Sequence, residues 1–523
     1  MPIASPTETH SRRRPSTDFT IILFIVFVAF GVYLWQLSVS EATSFYDSGV
    51  YFAAAMHFVT GVIPYRDFTF VNPPGIVLLI SPLAFLSRVI GSHDGFIIAR
   101  ILTSAVTAIN AGLLAWLVRR KGRLAMVVAG FGLALLPVAL LVSSAVKLDP
   151  YSILFVLLGA QIILSQDNAT GIISTRRLIF GGVLFGFAGD VKLWAVFSFI
   201  ALLICLVSWV RLRVLFTMGG AAIGFILPSL PLFILAPHSY ISQVFTVQLT
   251  QKYNPAVSLG THWRLIDLTG FSQTTIAPSG NEAIIAFLAL LLIVVIAFAR
   301  RQRHEHVDLF LLLSATITVI ALLVAPVSNT YYAYFAAPFL LGVLAISLSR
   351  IGTIVRSQFK LFRDKSALPR TLQWTSIGVG MAMLVALTLC TTTTYTNFAA
   401  NQGVSDNDIS AISNLIPPKS CVVYAFVFYG VETNRLQSNQ PNCPSVVDPY
   451  GMWQSWGDQL IAPSDVFVAE WQGYFEQAQY VVLNAPQTTF IPWNPQLLAW
   501  FASNYYLIYS NNYVFIYAHD ARL

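Results

Sequence analysis

YDSGVYFAAAMHFVTGVIPYRDFTFVNPPGIVLLISPLAFL runs from Tyr46 to Leu86, directly after the chain's first apolar run. How this stretch is read decides how often the chain crosses a bilayer. The run before it, Thr20 to Val39, is long enough as a helix to cross roughly 30 Å of hydrocarbon. Asp47, Arg66 and Asp67 then sit among aromatics, and a double proline leads into a second apolar segment, 75–90. That mixture is too polar for the lipid interior and too aromatic for a plain linker.

The 523 residues are 56% hydrophobic and only 10% charged. A soluble domain carries about a quarter charged residues, so the composition is that of a polytopic membrane protein. No small-residue cleavage site follows Val39, so the first run is read as a retained helix rather than a signal peptide. The net charge of +7 gathers in short clusters. Such clusters are orientation signals and not a nucleic-acid surface.

The apolar segments are 20–40, 75–90, 95–117, 124–146, 149–165, 178–191, 193–209, 214–236, 282–299, 307–326, 331–349 and 372–395. Basic clusters lie at Arg12 to Arg14, Arg119 to Arg123, Arg176 and Arg177, Arg211 and Arg213, Arg300 to Arg303, and Arg350 to Arg370. Short basic loops stay in the cytoplasm. All six clusters share that side only if one of the two segments between Val39 and Arg119 does not cross. The weaker is 75–90, which follows Pro73-Pro74, contains Pro82 and ends with Arg88 and Gly91. It is assigned to a helix lying in the outer interface. The expected architecture is all-α with about eleven transmembrane helices, the N-terminus cytoplasmic and the C-terminus outside. The alternative is a twelfth span with one basic cluster outside.

Three regions follow: a cytoplasmic tail over 1–19, a transmembrane domain over 20–396 with its first outer loop at 41–94, and an extracytoplasmic domain over 397–523. In the last, DNDISAISNLI, VFVAEWQGYFEQA and NPQLLAWFASNYY read as helices, SCVVYAFVFY and YVVLNA as strands. YLIYSNNYVFIYAHD reads as a hairpin turning at Asn511-Asn512, so a small α/β domain is expected. Cys421 and Cys443 both fall there, where an oxidising outer face permits a disulfide; two free buried thiols are the alternative. No C-x-x-C, H-E-x-x-H, Walker A or G-x-S-x-G motif occurs, which removes helicase, ATPase, thiol-redox and zincin readings.

Several polar residues collect on the outer face. Asp47 is placed to deprotonate a hydroxyl near a lipid-borne donor, or to cap a helix from about Ser48. Arg66 and Asp67 lie in a turn, where they serve a substrate or simply pair with each other. Lys147 and Asp149 form one outer turn, with Asp149 before Pro150 suited to start a helix. Asp190 and Lys192 interrupt an apolar run; Lys192 either meets a lipid-linked phosphate or snorkels to the headgroups. Lys252 and Arg264 run against the positive-inside trend in the long outer loop and are candidates for phosphate. Tyr332 is a candidate lining residue or part of an interfacial aromatic belt.

At these residues the sequence resembles polyprenyl-phosphate-dependent glycosyltransferases of the GT-C superfamily. The branch is the one with protein O-mannosyltransferases, lipid A aminoarabinose transferases and their actinobacterial-type homologues. The loop Tyr46 to Leu86 looks like their first outer loop. RILTSAVTAINAGLLAWLVRR, KLDPYSILFVLLGAQIIL, DVKLWAVFSFIALL and YYAYFAAPFLLGVLA resemble their later spans. CPSVVDPYGMW is similar, less specifically, to outer domains of that branch.

The resemblance implies a sugar donor on a polyprenyl phosphate and an acceptor hydroxyl on a glycan, lipid or protein, met at the outer face of the plasma membrane. It implies Asp47 as the base, with Lys192, and secondarily Arg66 or Arg264, on the departing phosphate. Many relatives carry Asp-Glu where this chain has Asp47-Ser48. The second carboxylate's role then falls to Asp67 or Asp149, or is absent. No metal ligand set is read from the sequence, and a divalent cation has only weak support, because a single carboxylate is a poor site for one. A transporter or flippase and a non-catalytic envelope scaffold are the other classes, but no internal repeat is found and the charges gather at one mouth.

Overall fold

The computed structural model describes residues 15–39, 46–165, 173–250, 260–272, 274, 276–299, 305–362, 406–456 and 464–519. The expected span 372–395, Lys252, and the clusters Arg12 to Arg14 and Arg300 to Arg303 lie outside the described residues. Apolar runs become helices because, away from water, a helix satisfies every backbone polar group within itself. Among the described residues, six helical stretches are long and apolar enough to cross a membrane, or seven if one bent pair is a single span. One stretch, 195–235, is interrupted at Arg211, whose φ of +50° breaks it into the helices Ala195–Val210 and Val214–Leu235.

The bent pair corrects the continuous segment expected over 124–146. The helices Arg123–Leu135 and Pro137–Ser143 meet at 56°. Pro137 forces the residue before it out of helical geometry, and Leu136 is extended at φ −67°, ψ 131°. The freed amide of Val138 is taken by the Gly270 carbonyl at 3.0 Å.

The loops fall into two sets. At one end Asp308 accepts from Lys121 at 2.9 Å and from Arg350 at 2.5 Å, Arg120 donates to the Ser165 carbonyl, and Arg213 to the Ile173 carbonyl. The other end gathers Asp47, Lys147, Asp149, Lys192 and Tyr331. The helix Gly75–Ile90 belongs wholly to this second end. It starts with Gly75 against the backbone of Asp190, 2.7 Å from where a Cβ would sit. It finishes beside Ser92, which donates to the Val431 carbonyl at 2.5 Å. It therefore lies across the end of the bundle instead of threading it. Ile76, Val77, Ile80 and Ala84 face inward, while Phe85, Leu86 and Val89 are exposed.

The tightest contact in the bundle joins Thr175–Val191 to Val214–Leu235. Gly182 and Gly186 on one helix and Gly220 and Gly224 on the other each sit where a Cβ would fall on a carbonyl of the opposite helix. Two G-x-x-x-G ridges thus interlock, as close-packed membrane helices do. This packing fixes the position of Lys192, the residue after the first of these helices.

The C-terminal region holds a four-stranded sheet in the order β1-β2-β4-β3, with β1 Val422–Tyr424, β2 Tyr480–Leu483, β3 Tyr505–Ser510 and β4 Phe515–His519. β1 runs parallel to β2; β4 is antiparallel to both β2 and β3. Helices Asp465–Gln477 and Pro495–Asn504 share a core with it around the buried Trp471, Phe475 and Phe501. Cys421 and Cys443 are joined by a disulfide.

The strand expected over SCVVYAFVFY is shorter than its composition suggests, because Phe428–Glu432 turns into a helix. That helix packs on Tyr46–Phe58 so closely that a Cβ on Gly49 would lie 2.7 Å from the Phe428 backbone. Tertiary docking there overrides strand propensity.

Replacing Gly186 by Val should push the two glycine-ridged helices apart and cost about 1–3 kcal/mol. A thermal-unfolding series in detergent should show a clear drop in Tm for Gly186→Val. Gly219→Ala, where a Cβ meets nothing within 4 Å, should match the wild type. An unchanged Tm for Gly186→Val would contradict the packing described.

Candidate functional site

Seven segments converge on one cavity: the start of helix Tyr46–Phe58, residues 71–73, Gln248, the turns at 148–149, 192–194 and 327–332, and residues 448–454 of the C-terminal region. The cavity measures about 100 Å³, far more than the roughly 10–15 Å³ that admits one water. Asp47 is the second residue of its helix, where the helix dipole favours a carboxylate. It does not sit before the helix as a cap, which corrects that expectation. Ser48 ties this turn to the bundle by donating to the Val146 carbonyl at 3.1 Å.

Two lysine–aspartate pairs face each other across an aromatic wall. Asp47 Oδ2 accepts from Lys147 Nζ at 2.8 Å and from Tyr331 Oη at 2.6 Å. Asp149 Oδ1 accepts from Lys192 Nζ at 2.7 Å. The Lys147 ammonium lies 3.8 Å from the Tyr331 ring centroid, and that of Lys192 lies 4.4 Å from Tyr332 and 5.0 Å from Trp194. Lys147 and Asp149 are only 2% and 1% exposed, so both charges depend on these partners. A ring face beside a desolvated ammonium adds stabilisation of its own.

The surroundings set the titration of each group. Burial pushes the Asp47 carboxyl up, but the Lys147 charge, hydrogen bonds from Lys147 and Tyr331, and the Lys192 charge outweigh it. The net result lies below the ordinary carboxylate value. Burial pushes Lys192 down, and the opposing charge and hydrogen bond of Asp149 recover only part of this. Asp448 is pushed up to about 6 by burial, against hydrogen bonds from the Gly451 amide and the Tyr46 hydroxyl.

The cavity thus brings together Asp47, Asp149, Lys192 and Tyr332. The other candidates lie elsewhere. Arg66 and Asp67 are exposed at a surface turn and pair with each other through two bonds of 2.8 Å. Asp67 also accepts from the Ile63 amide at 2.7 Å. Arg264 is buried and donates to the carbonyls of Leu323 and Ala325 at 2.8 and 2.5 Å. It closes the end of helix His306–Val324, whose last carbonyls have no partner within the helix. Asp190 turns away from Lys192 and accepts from Ser229, which in turn accepts from Tyr240 at 2.7 Å.

Sequence reasoning did not pick out Tyr331 as a donor to Asp47, Lys147 as its counter-ion, or the contribution of the C-terminal region. Asp448 caps helix Pro449–Ser455 by accepting from the Gly451 amide at 2.9 Å, and also accepts from Tyr46 Oη at 2.9 Å. The Asp-Pro pair is a readable helix start, but its partner Tyr46 lies 402 residues away.

Among the described residues no three His, Cys, Asp or Glu side chains converge as metal ligands. Of the three carboxylates that line the cavity, Asp47 and Asp149 each hold a lysine within 2.8 Å, and Asp448 accepts from Tyr46 Oη and the Gly451 amide. Each thus already has partners, a donor set that does not suit a divalent cation.

Residues 70–326 match the model of Glycosyltransferase family 87. The fold is similar to ArnT from Cupriavidus metallidurans bound to undecaprenyl phosphate, with a TM-score of 0.62 at 15% sequence identity, covering 96% of this chain and 98% of that one. The apo state of the same protein aligns at a TM-score of 0.61 and 14% identity, over 97% and 99% of the two chains. No curated protein matches the chain. Together the family match and the shared fold support a membrane glycosyltransferase.

Removing one partner of the Asp149–Lys192 pair leaves a buried charge alone, which typically costs about 3–5 kcal/mol. Lys192→Met should therefore lower thermal stability strongly, and adding Asp149→Leu should recover most of the loss. A double mutant no more stable than Lys192→Met would refute the pairing.

Proposed function

We propose that this protein transfers a sugar from a polyprenyl-phosphate donor to an acceptor hydroxyl at the outer face of the plasma membrane. The observation that carries this reading is an ionised carboxylate, Asp47, in one cavity with Lys192 and close to Lys147. Both described hydrogen bonds to Asp47 fall on Oδ2, which leaves Oδ1 to accept from a hydroxyl. The acceptor oxygen attacks the anomeric carbon as its proton passes to Asp47. The bond from that carbon to the phosphate oxygen breaks on the opposite face, its electron pair stays with the phosphate, and the configuration inverts.

A phosphate leaving group needs charge stabilisation more than protonation. Lys192 is suited to supply it, since Asp149 and the ring faces of Tyr332 and Trp194 already hold it in place. A second, apolar cavity of about 560 Å³ lies between helices Gly280–Ala299 and Ala333–Phe362. Its lining residues Leu268 and Leu340 belong to the same cluster as Trp194 and Tyr332. An isoprenoid tail fits that chemistry, and ArnT was crystallised with undecaprenyl phosphate. On this reading the basic end of the bundle faces the cytoplasm, and the cavity and the C-terminal domain lie outside. Neither the transporter nor the scaffold reading has a comparable observation behind it.

In nanodiscs supplied with polyprenyl-phosphate sugars, Asp47→Asn should lower kcat about 10²- to 10⁴-fold while undecaprenyl phosphate still binds. Full turnover by this variant would remove Asp47 as the base.

The pH profile has a definite sign. A carboxylate depressed in the folded protein stays ionised until the pH falls below its ordinary value near 3.9. Lys147→Met removes the main depressing charge and leaves the burial, so the acid limb of kcat should move to higher pH. A limb that stays in place or moves down would show that Asp47 does not govern it.

A further inference from the structure

The cavity wall built by the C-terminal domain differs in chemistry from the wall that carries Lys192. Among the described residues, no Lys or Arg of that domain lines the cavity. Asp448 is 4% exposed, and its described hydrogen bonds come from neutral donors, Tyr46 Oη and the amides of Gly451 and Val71. The Tyr450 amide donates to the same Tyr46 hydroxyl at 2.8 Å. The Tyr450 ring stacks on Trp453 with centroids 5.5 Å apart and 22° between planes, and meets Phe490 at 5.0 Å. Gln454 hydrogen-bonds the Tyr450 hydroxyl and lines the cavity beside it.

This wall offers a braced aromatic face, an amide and a carboxylate. A sugar ring presents a C–H face that packs on an aromatic ring and a rim of hydroxyls that bond to amides and carboxylates. An anionic acceptor finds no cation on this side and meets the Asp448 carboxylate. A peptide would need partners for its main chain, which two ring faces and one amide do not supply.

Resting on the transfer reaction above, we propose that residues 448–454 form the acceptor subsite and that the acceptor is a neutral glycan, stacked on Tyr450 and held by Gln454 and Asp448. Tyr46 and Asp47 are adjacent in one helix turn, so the hydrogen bonds from Tyr46 to Asp448 and from Tyr450 to Tyr46 set this subsite relative to the base. The transfer step itself is unchanged: the glycan hydroxyl loses its proton to Asp47 and gains the anomeric carbon.

The test uses the full-length protein in nanodiscs and saturation-transfer difference NMR. The probes are neutral linear trisaccharides of mannose, arabinose and glucose, a Ser/Thr-containing peptide and glycerol phosphate. At least one trisaccharide should bind, with affinity falling about tenfold or more in Tyr450→Ala and clearly in Gln454→Ala. Tyr450→Phe, which keeps the ring, should retain most of it. Undecaprenyl phosphate binding and Tm should be the same in the Ala variants as in the wild type, which separates a lost subsite from a lost fold.

Selective binding of the peptide or of glycerol phosphate would overturn the proposal. So would trisaccharide binding that ignores Tyr450→Ala, or no glycan binding by protein that still binds undecaprenyl phosphate. Wild-type protein that binds a trisaccharide but not undecaprenyl phosphate would instead count against the donor reading and leave the glycan subsite standing.

Discussion

The ion pair between Asp47 and the buried Lys147 is the constraint on which the rest of the site depends. The Asp47 side chain keeps 26% of its surface exposed and Lys147 only 2%, so the ammonium above all needs this partner, and with the Tyr331 hydroxyl the groups satisfy each other at 2.6–2.8 Å. The pair joins the first outer segment to the turn before helix Leu148–Leu164 and to the turn before helix Ala333–Phe362. Its geometry therefore holds three distant parts of the chain in register. It also holds the carboxyl below the ordinary carboxylate value, against the burial that pushes it up.

Around that pair the structure separates cationic from neutral chemistry. Lys147 and Lys192 come from bundle turns and sit over the rings of Tyr331, Tyr332 and Trp194. Asp448, Tyr450 and Gln454 come from the C-terminal domain and carry no positive charge. The domain is docked by close backbone contact at Gly49 and by Ser92 donating to the Val431 carbonyl. Glycine ridges between helices Thr175–Val191 and Val214–Leu235 give Lys192 a rigid base. Precision in the cavity thus begins with packing far from it.

Much of this was legible in the residues. Apolar length and the spacing of basic clusters gave the bundle and set segment 75–90 across its end. The hairpin turning at Asn511-Asn512 and the helices at 406–415, 465–477 and 495–504 followed from local pattern. Asp47, Asp149, Lys192 and Tyr332 were visible as polar groups at one mouth. Arg66, Asp67 and Arg264 were equally visible, yet the first two pair on the surface and the third closes a helix end. Residue type and side of the membrane do not distinguish a cavity from a turn a few ångströms away.

What the sequence alone determined is what depends on neighbours along the chain: the apolar length of the helices, the turn at Asn511-Asn512, and the gathering of basic residues in short loops. These follow from backbone hydrogen bonding and from the cost of charge in hydrocarbon, which act locally. Only the tertiary structure decided which lysine pairs with which aspartate, that Tyr331 donates to Asp47, and that a domain some 400 residues downstream lines the same cavity. A buried charge accepts whichever partner the packing brings within about 3 Å, and a one-dimensional pattern carries no record of that distance.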